Sequence, residues 1–134
     1  MPQLVTINGR LKIKDDEPWP KDHEYGYMHV HSAVCLPAGG RSSIVDQKKC
    51  VGGEVRLEVD LDAIILPDCS VKVAGTSKLY EGSSCNTNDL EDRDGHSVIV
   101  RPGTSEHIQV RLKNRGAGGG DWARGSLEVC NETV

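Results

Sequence analysis

A chain of 134 residues with a net charge of −4 and a pI near 5.7 has the size of one domain. Its acidic balance argues against a general nucleic-acid binder, which needs a concentrated basic surface, and the lack of Phe with only 4% aromatic residues removes the stacking platforms of a single-strand binder. No apolar run approaches the roughly 18 residues of a bilayer-spanning helix, so membrane insertion is not expected. The opening, Met1 to Val5, lacks the basic and apolar regions of a secretory leader, which reads as a cytosolic chain or a secreted one with its leader removed.

The first element is a strand. Val5, Ile7, Gly9, Leu11 and Ile13 alternate with Thr6, Asn8, Arg10, Lys12 and Lys14, the two-residue beat of a half-buried strand. Asp15 to Lys21 contains Pro18 and Pro20, which cannot donate to a ladder, so it is a connection. Tyr25 to Leu36 alternates again, with Met28, Val30, Val34 and Leu36 on one face and Tyr27, His29, His31, Ala33 and Cys35 on the other. Residues 37–53 are rich in glycine and read as a loop with a short strand near Ser43 to Val45.

From Glu54 the alternation is clearest. Val55, Leu57, Val59, Leu61, Ala63 and Ile65 point inward against an acidic outer row, and the turn Leu66-Pro67-Asp68-Cys69-Ser70 leads to Val71, Val73, Gly75 and Leu79. Residues 81–95 read as an acidic, amide-rich loop between strands. His96 to Val100, the Pro102-Gly103 turn, a strand through Ile108, Val110 and Leu112, the glycine-rich tip Gly116 to Gly120, and a strand from Trp122 to Cys130 complete the chain. No segment sustains a 3.6-residue period. The expectation is a single β-sandwich domain over residues 1–134, all-β and antiparallel, of seven to eight strands and Ig-like or C2-like architecture, with a barrel as the alternative.

The acidic loop is the first candidate site. Calcium takes six to eight oxygen ligands, and Asn86, Asn88, Asp89, Glu91, Asp92 and Asp94 supply carboxylates and amides within a short span. The EF-hand pattern fails because Leu90 stands in its first ligand place. A sandwich-end site would draw further ligands from Asp68 or Asp121. The same composition is also that of solvated turns.

His29-x-His31 is the second candidate, because side chains two apart share a strand face and both imidazoles could reach one metal, with His107, His96 or His23 as third ligand. The simpler reading is a partly exposed sheet face. The glycine run lacks the helix and the Lys-Ser/Thr of a phosphate cradle, no Gly-x-Ser-x-Gly elbow occurs, Cys85 lies among carboxylates that disfavour its thiolate, and Asp60 with Asp62 read as solvent coating. Five cysteines form no CxxC pair. Cys69 with Cys85 and Cys35 with Cys50 are the disulfides considered, and an odd count leaves at least one thiol over. Asn131-Glu132-Thr133 matches a glycosylation acceptor.

These readings lead to a non-catalytic β-sandwich binding module, stiffened by calcium through the 81–95 loop, that contacts a protein or carbohydrate partner. The alternative is a small metal-dependent enzyme built on His29 and His31. A third reading is self-association through a free sheet edge or the outer face carrying Tyr25 and Tyr27.

Overall fold

The computed structural model describes residues 2–17, 20–114 and 120–134. They form eight strands: β1 Gln3–Asp15, β2 Glu24–Leu36, β3 Arg41–Val51, β4 Val55–Ile65, β5 Val71–Glu81, β6 Leu90–Val100, β7 Thr104–Lys113 and β8 Trp122–Thr133. The strands lie in two four-stranded antiparallel sheets, ordered β2-β1-β8-β7 and β3-β4-β5-β6, with no helix among the described residues. Each strand neighbours the next along the chain, and β8 returns to pair with β1. This meander would be a barrel if the ladder ran unbroken. It stops between β2 and β3 and again between β6 and β7, so the outcome is a β-sandwich.

The two-residue beat is realised strand by strand. Val5, Ile7, Leu11 and Ile13 of β1 are fully buried, as are Val55, Leu57, Leu61 and Ala63 of β4 in the opposite sheet and, beside β1, Ala123, Leu127 and Val129 of β8. Alternate residues of a strand point to opposite faces, so one apolar row per strand suffices to build the whole core.

Two segments differ from the sequence expectation, and both are edge strands of the second sheet. Residues 41–51, read as loop with a short strand, are the full strand β3. A bulge between Ser43 and Val45 puts Ile44 and Val45 inside consecutively, which scrambles the alternation that would have revealed it. Residues 90–95, read as the end of the acidic loop, belong to β6, and a second irregularity opposite Leu79 and Tyr80 lets Leu90 and Asp92 flank an unpaired Glu91. Along β6, Asp92, Asp94 and His96 stand on the side of Val98 and Val100, so a polar row lines the inner margin of the sandwich there. Inward charge on an edge strand discourages pairing with another sheet. The glycine-rich tip, apart from Gly120, lies outside the described residues, as do Pro18 and Trp19.

His96 is set against the fully buried Ser77, with its Nε2 2.8 Å from the Ser77 hydroxyl. Burial lowers its pKa, and the nearby Asp94 opposes that shift only in part. A histidine depressed in the folded state contributes stability that is full above its unfolded pKa of about 6.5 and is lost as pH falls below that value. The raised carboxylates described below act in the opposite direction, so the comparison needed is between wild type and His96→Gln. Urea midpoints from pH 7.5 downward are expected to fall less for the variant, as its amide keeps the Ser77 bond without titrating; parallel profiles would refute this.

At one end of the sandwich the sheets are tied by Asn131, which is fully buried. Its amide donates to the Cys69 carbonyl at 3.0 Å and the Val100 carbonyl at 2.9 Å, both in the second sheet. A side chain so committed is closed to glycosylation in the folded state, which sets aside the Asn131 acceptor pattern. The cysteine pairing also differs from both arrangements considered. Cys50 and Cys85 form the disulfide, with Cα atoms 6.0 Å apart, while Cys35, Cys69 and Cys130 are free. Cys69 sits in the β4–β5 turn, at the opposite end from Cys85, and Cys35 is exposed on the other sheet.

Candidate functional site

The end of the sandwich opposite Asn131 gathers the close of β1, the β3–β4 turn, the 82–89 loop and the start of β8. In the β3–β4 turn, Gly52 and Gly53 both take positive φ, 65° and 73°, and the Glu54 amide closes back on the Val51 carbonyl at 3.4 Å. A Cβ at Gly52 would overlap Asp15 Oδ2, so this position needs glycine for its conformation and for its space. The turn thereby brings Glu54 to Asp15 and Glu17, and the carboxylate oxygens of these three residues lie within 4.8 Å of one another.

Crowded carboxylates resist ionisation, and this end shows it. Asp15 is raised to about 7, first by burial, then by its hydrogen bond to Glu17 and by the charges of Glu17, Asp121 and Glu54. Burial also raises Glu81, with Asp121, Glu91, Glu54 and Asp89 adding to it. Glu91 is raised by burial and by Asp89, which also hydrogen-bonds to it.

The residues expected to hold calcium divide over this end. Asp89 and Glu91 adjoin each other and the acidic cluster. Asn86 and Asn88 are exposed in the loop, where Asn86 N and Asp89 N bond to the Ser84 and Thr87 hydroxyls, the side-chain-to-backbone bonding of ordinary turns. Asp92 and Asp94 belong to the other row of β6, and Asp92 Oδ2 accepts from Lys113 N at 3.0 Å. Asp121 stands at the acidic end but is engaged, accepting from Asp16 N at 2.7 Å and from the Asn114 amide at 3.2 Å. Asp68 lies at the far end, capping Ser70 N at 2.9 Å.

His29 and His31 share the outer face of the first sheet, but among the described residues no third ligand joins them. His31 Nδ1 is bonded to Asn8 Oδ1, and His29 lies 6.2 Å from the Tyr27 ring, centroid to centroid. In the ladder His31 is followed by Asn8, Glu128 and His107, so His107 is three strand spacings away, about 14 Å. His96 is in the other sheet, and His23 is held by Asp16 at 2.8 Å. Among the described residues, Asp15, Glu17 and Glu54 are the only metal-compatible trio.

A second surface emerges only from strand register. On the outer face of the first sheet, Tyr27, Lys12, Arg124 and Arg111 lie side by side across β2, β1, β8 and β7. The next row is Tyr25, Lys14, Trp122 and Lys113, and Arg10 extends the patch toward Ser126. The rings serve as supports for the cations. Arg10 lies 4.8 Å from the Tyr27 centroid, Lys12 4.6 Å from Tyr25, and Arg124 3.9 Å from Trp122. Among the described residues, the one ion pair on this patch joins Lys14 to Asp16 at 3.8 Å. Arg111, Lys113, Trp122 and Arg124 also line an open depression of about 890 Å³ along β7 and β8.

Like charges directly opposite each other in a ladder destabilise it by up to about 1 kcal/mol per pair. Lys12, Arg124 and Arg111 occupy such positions in succession without a carboxylate among them, in a molecule of net charge −4. Tyr25 and Trp122 offset part of that repulsion for Lys12 and Arg124, whereas Arg111 has neither a ring nor a carboxylate partner among the described residues. Comparison with known proteins adds no relative from which a role could be carried over, because the chain matches no family model and no curated protein.

Proposed function

We propose that this protein is a non-catalytic β-sandwich binding module whose working surface is the outer face of the first sheet, and that its ligand is an acidic glycan chain. The observation that supports this reading is the unneutralised row Lys12–Arg124–Arg111, flanked by Lys14, Lys113 and Arg10. The backbones that carry these cations stand about 4.8 Å apart on adjacent strands, close to the length of one sugar unit, so the row offers one flexible cation per strand to sulfates or carboxylates on successive units. Tyr25, Tyr27 and Trp122 each already carry a cation against the ring, which leaves less ring surface for the base stacking that a nucleic acid needs. The Cys50–Cys85 disulfide fits an oxidising compartment, where acidic glycans are met.

Calorimetric titration of the whole chain with a sulfated heparin-type oligosaccharide tests the reading. Binding that weakens steeply with salt is expected, and Lys12→Glu combined with Arg111→Glu and Arg124→Glu should lower affinity at least about 100-fold, since each loss of a charge-assisted contact is worth about 1 kcal/mol or more. Lys48→Glu with Lys49→Glu, on exposed positions of β3 in the other sheet, is the control and should leave affinity nearly unchanged. No binding at low salt, or equal loss in both variants, would overturn the assignment. Preference for an acidic peptide over the glycan would change the ligand class.

A further inference from the structure

We propose that Asp15, Glu17 and Glu54 form a binding site for a hard divalent cation, calcium, at the acidic end of the sandwich. Two oxygens bound to one calcium at 2.3–2.6 Å stand at most about 5 Å apart, and the three carboxylates meet that limit, with their ligand oxygens within 4.8 Å of one another. The donor set is all oxygen. It offers neither the imidazole nor the thiolate that zinc favours.

A second observation separates this trio from an ordinary acidic surface. Asp15 is 1% exposed, and among the described residues its Oδ2 has no hydrogen-bond partner. Buried anionic oxygens are normally paired, because leaving one without a donor or a counter-charge is costly. Neighbouring acids at this end do find partners: Asp16 pairs with Lys14 and His23, and Asp121 accepts from Asp16 N and Asn114. Asp15 Oδ2 instead lies against Gly52, which lines one recess with Glu17 and Glu54, and a carboxylate oxygen of each of the three acids lies within 4.8 Å of the others. A cation between them supplies the missing charge.

The position is also reachable. Glu17, Glu54 and Gly52 line an open recess of about 520 Å³, together with Lys21 and His23, so an ion can enter and keep waters on its outer side. Lys21 makes no ion pair with the trio among the described residues. The site differs from the Asn86–Asp94 set in its ligands and is independent of the cationic sheet face.

Thermal unfolding of the whole chain in chelator and in millimolar calcium chloride, with calorimetric titration of calcium, provides the test. Calcium at about 100 times its dissociation constant should raise the wild-type midpoint by roughly 5–10 °C. Asp15→Asn should unfold in chelator at or above the wild-type midpoint, because one of three crowded charges is gone, and should no longer respond to calcium. Glu54→Gln, altered at a half-buried rim position, should bind calcium at least tenfold more weakly and decides the matter if Asp15→Asn fails to fold. No calcium heat and no midpoint shift in the wild type would overturn the site. A calcium response undiminished in the variants would do so as well, and would move binding to the Asn86–Asp94 set.

Discussion

Breaking the Cys50–Cys85 disulfide is expected to lower the unfolding free energy by about 4 kcal/mol, the chain-entropy value for a bond whose sequence separation is 35. The bond joins the end of the edge strand β3 to the 82–89 loop, which must pass over the start of β4 to reach it. Other contacts hold that loop. The Arg56 guanidinium donates to the Cys85 carbonyl while lying 4.2 Å from the Tyr80 ring, and Gly82 N bonds to the Glu54 carbonyl at 3.2 Å. The folded loop is therefore defined without the sulfur link, and the loss falls mainly on the unfolded chain, which gains conformations. Urea unfolding with and without reductant checks this. Cys50→Ser, Cys85→Ser and the double variant should match one another and reduced wild type, with a midpoint about 10–15 °C lower on heating. A wild-type midpoint indifferent to reductant would remove the bond from the account. Glycan affinity should be spared, since Lys12, Arg111 and Arg124 stand on the other sheet.

How far the fold was legible depends on where a strand sits in its sheet. β4 and β5 are central, paired on both sides, and their strict alternation from Val55 to Leu79 could be read directly. β3 and β6 are edges. The bulge at Ser43 and Val45 changes the parity of β3 midway, and β6 carries Asp92, Asp94 and His96 in a row that a sequence reader assigns to solvent. An edge strand needs less apolar surface and tolerates irregular pairing, so it leaves a weaker periodic signal.

The sites were legible to different degrees for related reasons. The acidic loop was visible as composition, but composition does not say which carboxylates converge. Asp15 carried a usable clue: it continues the odd-numbered inner row of Val5, Ile7, Leu11 and Ile13, so the parity of β1 already points it inward. Glu54 could not be matched to it without knowing that the Gly52-Gly53 turn folds against the end of β1. The cationic face leaves no run of basic residues along the chain. Arg10, Lys12 and Lys14, then Arg111 and Lys113, recur at every second position, and in a sheet that spacing, with Arg124 between, makes them neighbours in space.

Asn131→Ala is expected to cost about 2–4 kcal/mol, because it strips the donor from two carbonyls that no water replaces cheaply. The amide joins Cys69 of the β4–β5 turn and Val100 at the end of β6 to the last strand of the first sheet, while Gln3 Nε2 approaches its Oδ1 at 3.4 Å. The backbone at the same residue fixes the β6–β7 crossing, with Gly103 N donating to the Asn131 carbonyl at 2.7 Å. Alanine keeps that backbone bond, so the loss should report the side-chain latch alone. Asn131→Asp should be worse at neutral pH, since it replaces the two donated protons with a charged oxygen facing two carbonyl oxygens in a buried site. Thr133→Ala separates the latch from the glycosylation pattern: it destroys the acceptor triplet but should cost well under about 1 kcal/mol, because Thr133 is exposed and only its hydroxyl bond to Gln3 is lost. Urea midpoints that rank Asp below Ala, and Ala well below Thr133→Ala and wild type, support the latch. An alanine variant as stable as wild type would mean that the sheets are held at this end by their apolar faces alone.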